Sequence, residues 1–375
     1  MKPNLAIVSR SQNAYSETFI QAHKHIPGVN VHFYYENLIP TTLETKGILQ
    51  TTFPWWKRII VRNLRRLSLS PFKDISEDAF AWLLQKEKID CVLAEYGLTG
   101  AEIFPVCKAL KLPLLVHFHG YDASVHRVLQ QFKTSYKKMF QYASAIIVVS
   151  KMMQRKIEEL GCPADKIIYN PYGPKDCFLD IESSLSQKLF VSVGRFVDKK
   201  APYYTILAFN QVLQTYPDAR LVIGGDGPLL NTCTNLVRYL GIEHAVSLPG
   251  VITPDEFSGY LRIARAYVQH SVTAMNGDTE GTPVAVIEAS AAGLPVLSTR
   301  HAGIPDVIVD GETGLLVNEH DVEGMAAQML FVLENAERAK QIGMKGKQRI
   351  KKYFSMDKHL SILQSAIIDA VNNRR

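Results

Sequence analysis

Cysteine is scarce in this chain of 375 residues, and what there is does not cluster. Cys91, Cys107, Cys162, Cys177 and Cys233 are scattered, odd in number and form no C-x-x-C pair. Neither a zinc ribbon nor a disulfide framework is indicated, and a reducing cytoplasm is the simplest setting. Long apolar runs are missing too. No stretch approaches the ~20 residues that a bilayer-spanning helix needs. The opening MKPNLAIVSR has too short an apolar core for a secretory signal, and LAIVS reads as a first buried strand. The apolar fraction of 47% and charged fraction of 21% exclude a disordered chain. No nucleic-acid partner is expected.

Charge is spread unevenly. Residues 1–180 carry 23 Lys and Arg against 16 Asp and Glu, a net +7, while residues 181–375 carry 19 against 20, a net −1. The first half is therefore the side expected to meet an anionic surface or acceptor. Its most basic stretch is FPWWKRIIVRNLRRLSLSPFK, residues 53–73. Helical spacing sets Trp55, Trp56, Ile59, Ile60, Leu64 and Leu67 against Lys57, Arg58, Arg62, Arg65 and Arg66. Two readings stand: an ordinary surface helix with its apolar stripe in the core, or a helix lying on an anionic membrane.

The length favours two domains, and the pattern agrees. Short apolar runs rich in Val, Ile and Leu alternate with helical segments from LAIVS (5–9) to KIIYNPYG (166–173). The Pro-, Gly- and Ser-containing PYGPKDCFLDIESSLSQ (171–187) interrupts the alternation, which restarts at LFVSVG (189–194). No fixed short repeat is present. The expected fold class is α/β, with two doubly wound Rossmann-like domains, residues 1–178 and 179–355. Such sheets bind ligands at the carboxyl ends of their strands, so the expected site is a cleft between the domains.

The chemistry centres on DTEGTPVAVIEASAAG, residues 278–293. Thr282 is the expected N-cap of a helix whose first residue is Pro283. Its free N–H groups would bind an anion, with Glu280 in the loop before it and Glu288 inside it. Arg195 and Lys200, in VSVGRFVDKK after a strand, suit a diphosphate as fork and point charge. In the first half, VHFHGYDAS (116–124) ends a strand. His117 and His119 are expected on opposite sheet faces, His117 in the core and His119, beside Gly120, at the rim of the cleft. Asp122 is expected to cap the following helix. Ser16 and Glu17 either cap a helix beginning near Phe19 or line the cleft. Asp278-Thr279-Glu280 lacks a nearby third ligand, so no metal is expected.

These segments resemble glycosyltransferase family 4, which has the GT-B fold. VGRFVDKK, GGDGP, LPGVITPDEF and EGTPVAVIEASAAGLPVLSTRHAGIPDVIVDGETGLLV carry the likeness over residues 188–353. SETFI (16–20) and HFHGYD (117–122) resemble a subgroup that builds bacterial exopolysaccharide or surface glycans. The resemblance implies a retaining hexosyltransferase working from a nucleotide sugar, a UDP-sugar first and GDP-mannose second, without a metal or other cofactor. The implied acceptor is a glycan or lipid-linked hydroxyl, and the implied location is cytoplasmic or peripheral at the inner membrane face. It implies that Arg195 and Lys200 neutralise the diphosphate, and that Glu280 lies at the donor sugar. Glu288 would accept from the ribose hydroxyls. Gly281, Thr282 and Pro283 would border the diphosphate, Val251 the base, and His119 the reaction centre. The last helix, 356–375, is implied to return to the first domain. The chain departs from the family at Ala201, where glycine is usual, and at Thr282-Pro283, where Phe-Gly is frequent. A nucleotide-sugar epimerase of the same architecture and a non-catalytic nucleotide-sugar-binding protein are the alternatives.

Overall fold

The computed structural model describes residues 2–12, 18–67 and 71–374. Ser16 and Glu17 lie outside the described residues. The chain divides into two compact units, Met1–Asn170 with His359–Arg375, and Pro171–Lys358.

The first unit holds an eight-stranded sheet. Its strands are β1 (Asn4–Val8), β2 (Asn30–Tyr35), β3 (Thr42–Leu43), β4 (Gly47–Ile48), β5 (Cys91–Glu95), β6 (Leu114–His117), β7 (Ala145–Val148) and β8 (Ile167–Tyr169). The spatial order is β4-β3-β2-β1-β5-β6-β7-β8, parallel except for the short β3 and β4 at one edge. Helices cover the sheet, so β1, β5, β6 and β7 read as unbroken apolar runs and are buried almost throughout. The order reverses between β1 and β5, paired as Leu5 with Cys91 through Val8 with Ala94. That makes their carboxyl ends the switch point of the sheet. The last helix, Met356–Asn372, packs Leu363, Ala366, Ile367 and Ala370 into the core around Leu5, Ile7 and Leu93.

The second unit holds β9 (Leu189–Val193), β10 (Arg220–Gly224), β11 (Val246–Gly250), β12 (Ala266–Gln269), β13 (Val296–Thr299) and β14 (Leu315–Val317). All pairs are parallel, in the order β11-β10-β9-β12-β13-β14, with its switch point between β9 and β12. Residues 171–187 belong here rather than to the first unit. Phe178 packs against Phe257, and Ser183 Oγ donates to the carbonyls of Leu261 and Ala292. The division therefore falls at Asn170, ahead of the expected 178, and the chain returns at His359.

The basic segment forms a helix, Trp55–Arg66, none of whose residues is buried. Trp55 is 72% exposed and Leu67 67%, and Trp56, Ile59, Ile60 and Leu64 are exposed with them. The half-buried positions are Lys57, Val61 and Arg65, with Arg65 paired to Asp78. The apolar stripe thus lies on the surface rather than in the core.

Candidate active site

At the switch point of the second unit, the loop after β9 meets the loop after β12. Lys200 Nζ lies 3.3 Å from Glu280 Oε1 and donates to Gln269 Oε1 at 3.3 Å. Gly194 makes room for this: a Cβ there would sit 3.2 Å from Lys200 Cε. Burial pushes the Lys200 ammonium down from its ordinary value, Glu280 opposes, and Lys199 and Arg195 add to the lowering. The charge of Arg195 is therefore felt at Lys200. Its own guanidinium is exposed and forms no ion pair among the described residues. Burial raises the Glu280 acid, but Lys200, Lys199 and His301 outweigh it and hold the acid below the usual carboxylate range. Glu280 is thus an ionised carboxylate, 8% exposed, facing a cation.

Two further pairs hold this loop. Lys199, buried, donates to Asp278 Oδ1 at 2.9 Å and to the Thr279 carbonyl at 3.0 Å. The backbone N–H of Glu280 donates to His301 Nε2 at 3.1 Å, and His301 Nδ1 lies 2.6 Å from Glu319 Oε1. Burial raises the Glu319 acid, but its bonds from His301 and Thr273 bring it down to about 2. An ionised Glu319 accepts only, so His301 carries its proton on Nδ1 and offers a lone pair at Nε2. Three non-glycine residues beside this machinery, Ala201 (φ 37), Ala302 (φ 46) and His320 (φ 67), sit in the left-handed region. Each conformation costs roughly 1–2 kcal/mol, which the neighbouring bonds must hold in place.

The helix after Glu280 runs Val284–Ala291, one residue later than expected. Pro283, with ψ 116, is its N-cap, and no side chain caps it. The reason lies in the backbone: Val286 and Ile287 N–H bond back to the Pro283 carbonyl, the first acceptor of the helix. The N–H groups of Val284 and Ala285 are left unused by the helix, and they carry its positive dipole end. Gly281, Thr282 and Pro283 are buried ahead of it. Glu288 lies four residues past Val284 and is half-buried; burial pushes its acid up to about 8, against an opposing effect of Lys175. Val251 is 55% exposed in the loop after β11. The GGDG turn after β10 is a close-approach device: a Cβ on Gly225 (φ 143) would sit 1.9 Å from the Gly194 carbonyl.

The switch point of the first unit is built differently. Glu95, the last residue of β5, is fully buried. His23 Nδ1 lies 2.6 Å from its Oε1 and His119 Nε2 2.8 Å from its Oε2, with His117 Nδ1 3.8 Å away. His117 and His119 therefore do not part onto opposite faces; two residues apart, they share a side, with ring centroids 4.4 Å apart. Asp122 does not cap from outside its helix but lies within Tyr121–Ser124. Its carboxylate accepts from the backbone N–H of Gly97, His119 and Gly120 at 2.7, 3.0 and 3.0 Å, fixing the loop that carries His119.

His23, Glu95 and His117 bring ligand-type atoms within 4.8 Å of one another. Two ligands about 2.1 Å from one tetrahedral zinc would be roughly 3.4 Å apart. The 2.6 Å between His23 and Glu95 is instead a hydrogen bond. Lys199, His301, Glu319, His23, Glu95 and His359 were not read from the sequence. For Lys199 the signal was present in the Lys-Lys doublet; for the others only long-range contact reveals the role.

Residues 180–349 match the family model described as Glycosyl transferases group 1, and residues 27–173 match that described as Glycosyltransferase Family 4. The amylovoran biosynthesis glycosyltransferase AmsK of Erwinia amylovora is 30% identical over 284 residues, 74% of this chain and 69% of that protein. The putative colanic acid biosynthesis glycosyltransferase WcaL of Salmonella typhimurium is 29% identical over 245 residues, 64% of this chain and 60% of that protein. Among solved structures, Anabaena Alr3699/HepE in complex with UDP aligns over 98% of this chain and 99% of its own, with a TM-score of 0.76 and 14% identity.

Proposed function

Because the chain belongs to glycosyltransferase family 4, we propose that it transfers a hexosyl group from a nucleotide sugar, with retention and without a metal, to a glycan or lipid-linked hydroxyl in the synthesis of a bacterial surface polysaccharide. The observation that carries this is the Lys200–Glu280 pair at the switch point of the second sheet, with the charge of Arg195 felt at Lys200 and no ion pair for Arg195 among the described residues. The relatives named for amylovoran and colanic acid synthesis support the polysaccharide assignment. The UDP in the Anabaena structure supports a UDP-sugar over GDP-mannose.

In this reading the bond from the anomeric carbon to the diphosphate breaks and its electrons leave with the diphosphate. Arg195, Lys200 and the N-terminus of helix Val284–Ala291 stabilise the charge that develops there. The acceptor hydroxyl attacks the face the diphosphate leaves and gives its proton to the departing diphosphate. Glu280 holds donor-sugar hydroxyls, Glu288 the ribose hydroxyls, and Gly281, Thr282 and Pro283 border the diphosphate. Val251 borders the base, and His119 serves the transferred sugar. A thermal-shift panel of nucleotide sugars tests the donor: a UDP-sugar should raise Tm most, and a flat response to every nucleotide sugar would overturn the reading. Product formed from the donor alone, with no acceptor, would instead favour an epimerase.

No helix among the described residues is long and apolar enough to cross a membrane. The helix Trp55–Arg66 instead supports association with an anionic lipid surface, its exposed Trp, Ile and Leu side chains entering the interface and the exposed Arg58, Arg62 and Arg66 meeting headgroups. The protein should sediment with vesicles containing phosphatidylglycerol and be released by Ile60→Glu. Equal sedimentation of the variant would exclude this helix as the anchor.

A further inference from the structure

The chain leaves the first unit at Asn170 and re-enters it at His359, and a hydrogen-bonded path runs from that crossing to His119. Asn170 Nδ2 donates to the His359 carbonyl at 3.1 Å. His359 Nε2 lies 2.9 Å from His23 Nε2, across 336 residues of sequence. His23 Nδ1 is on Glu95 Oε1 and His119 Nε2 on Glu95 Oε2. The four residues come from the last helix, the helix Thr18–His23, the end of β5 and the loop after β6.

We propose that Glu95, His23 and His359 are positioning residues that fix the tautomer and ring orientation of His119 for sugar transfer. This rests on the reading of His119 as a residue of the reaction. The proton positions follow from the donor–acceptor inventory. Both Glu95 oxygens face imidazole nitrogens, and burial raises the acid while His23 and His119 bring it down to about 2. An ionised carboxylate only accepts. His23 therefore donates from Nδ1, and His119 donates from Nε2. The Nε2 atoms of His23 and His359 lie 2.9 Å apart, so one of the two rings carries the proton between them. Each ring sets the next, as metal- and substrate-bound histidines are set by the bond their other nitrogen makes.

The surroundings hold the ring in place. Tyr96 packs edge-on at 4.6 Å from the His119 ring and Phe19 at 4.8 Å. Tyr96 does so from a left-handed backbone (φ 77) next to Glu95. Among the described residues, the titratable groups facing this network are His23, Glu95, Tyr96, His117, Asp122 and His359. Burial lowers the His117 pKa well below its ordinary value, with His119, His23 and His359 adding to that. His117 is therefore neutral beside the His119 ring.

The test has two arms. In ¹⁵N-histidine NMR of the wild-type protein, assigned with His119→Asn, His23→Asn and His359→Asn, His119 should carry its proton on Nε2. His23 should carry a proton on Nδ1. A neutral Nδ1–H form of His119 would overturn the proposal without requiring any variant to fold. In turnover of the nucleotide sugar that gives the largest thermal shift, Glu95→Gln should cut kcat about 100-fold with KM for the donor within about threefold. His359→Asn should cut kcat about threefold. The Glu95→Gln, His119→Asn double variant should be no slower than His119→Asn alone. An impaired His119→Asn with an unimpaired, folded Glu95→Gln would sink the positioning role alone. An unimpaired His119→Asn would sink the role of His119 and the positioning role with it.

Discussion

Each sheet ends a central strand or loop at its switch point with a buried glutamate, and the two glutamates keep different company. Glu95 has an imidazole nitrogen at 2.6 and 2.8 Å on its two oxygens, and those rings are in turn bonded or stacked. Glu280 has one cation at 3.3 Å and otherwise no hydrogen-bond partner at Oε1 among the described residues. Around it the charges do not balance: Lys199 is matched by Asp278, Lys200 by Glu280, and Arg195 by nothing among the described residues. A network closed on itself holds a geometry. A network left open, with surplus positive charge and a helix N-terminus, is built to take up an anion. In the proposed reading, one fold supplies a held histidine in one unit and a polyanion clamp in the other, using a carboxylate in both.

Removing the open glutamate should have the largest effect. Glu280→Ala should lower transfer by roughly 1000-fold, the upper end of the range lost when a group aimed at the reacting centre is deleted. Nucleotide binding should survive, because Arg195 and Lys200 remain. Calorimetric titration with the nucleotide product, beside single-turnover transfer, separates the two. Loss of nucleotide binding with intact circular dichroism would mean that Glu280 builds the clamp rather than serving the sugar, and the contrast with Glu95 would fall.

The cations come next. Lys200→Ala should cut kcat/KM about 100-fold or more, and Arg195→Ala by about 10- to 100-fold because Arg195 is exposed and screened. The Arg195→Ala, Lys200→Ala double variant should keep its fold and lose nearly all transfer. Near-wild-type turnover by the double variant, measured at low and at high salt, would show that the surplus charge is idle.

Much of this was legible before any coordinates. Short apolar runs alternating with helical segments located the two sheets, and Arg195, Lys200, Glu280 and Glu288 stood out because each lies beside a strand end or the Gly-Thr-Pro turn. What escaped has a common physical cause. Glu95 reads as one polar residue ending an apolar strand, His23 as the end of an amphipathic helix, and His359 as a residue of the terminal helix. Their role exists only once 72 and 336 residues of intervening chain have folded back. The histidines of VHFHG were misplaced for a different reason, a face assignment that spacing by two forbids. The stripe of Trp55–Arg66 was identifiable as amphipathic, but patterning alone does not say which solvent its apolar side meets.

The smallest expected effect is on stability and concerns Glu288. Its acid stands at about 8 in the folded chain against an ordinary 4.5. Below pH 4.5 the group is neutral in both states and costs nothing. Between about 5 and 8 the unfolded chain ionises it while the folded chain keeps the proton, so the folded state binds more protons and stability falls as pH rises. Above 8 the penalty is complete and constant. The Tm of the wild-type protein without nucleotide should therefore drop across that window by more than that of Glu288→Gln, with the two curves closest near pH 5. Glu280 has the opposite sign: its lowered acid contributes stability above 4.5 that is lost as pH falls through the folded value. Nucleotide should narrow the difference between Glu288→Gln and wild type if ribose hydroxyls donate to the ionised form, since such bonds favour the charged carboxylate. A pH-independent gap between the two proteins, with or without nucleotide, would place Glu288 away from the ribose and leave Glu280 as the only carboxylate of the clamp.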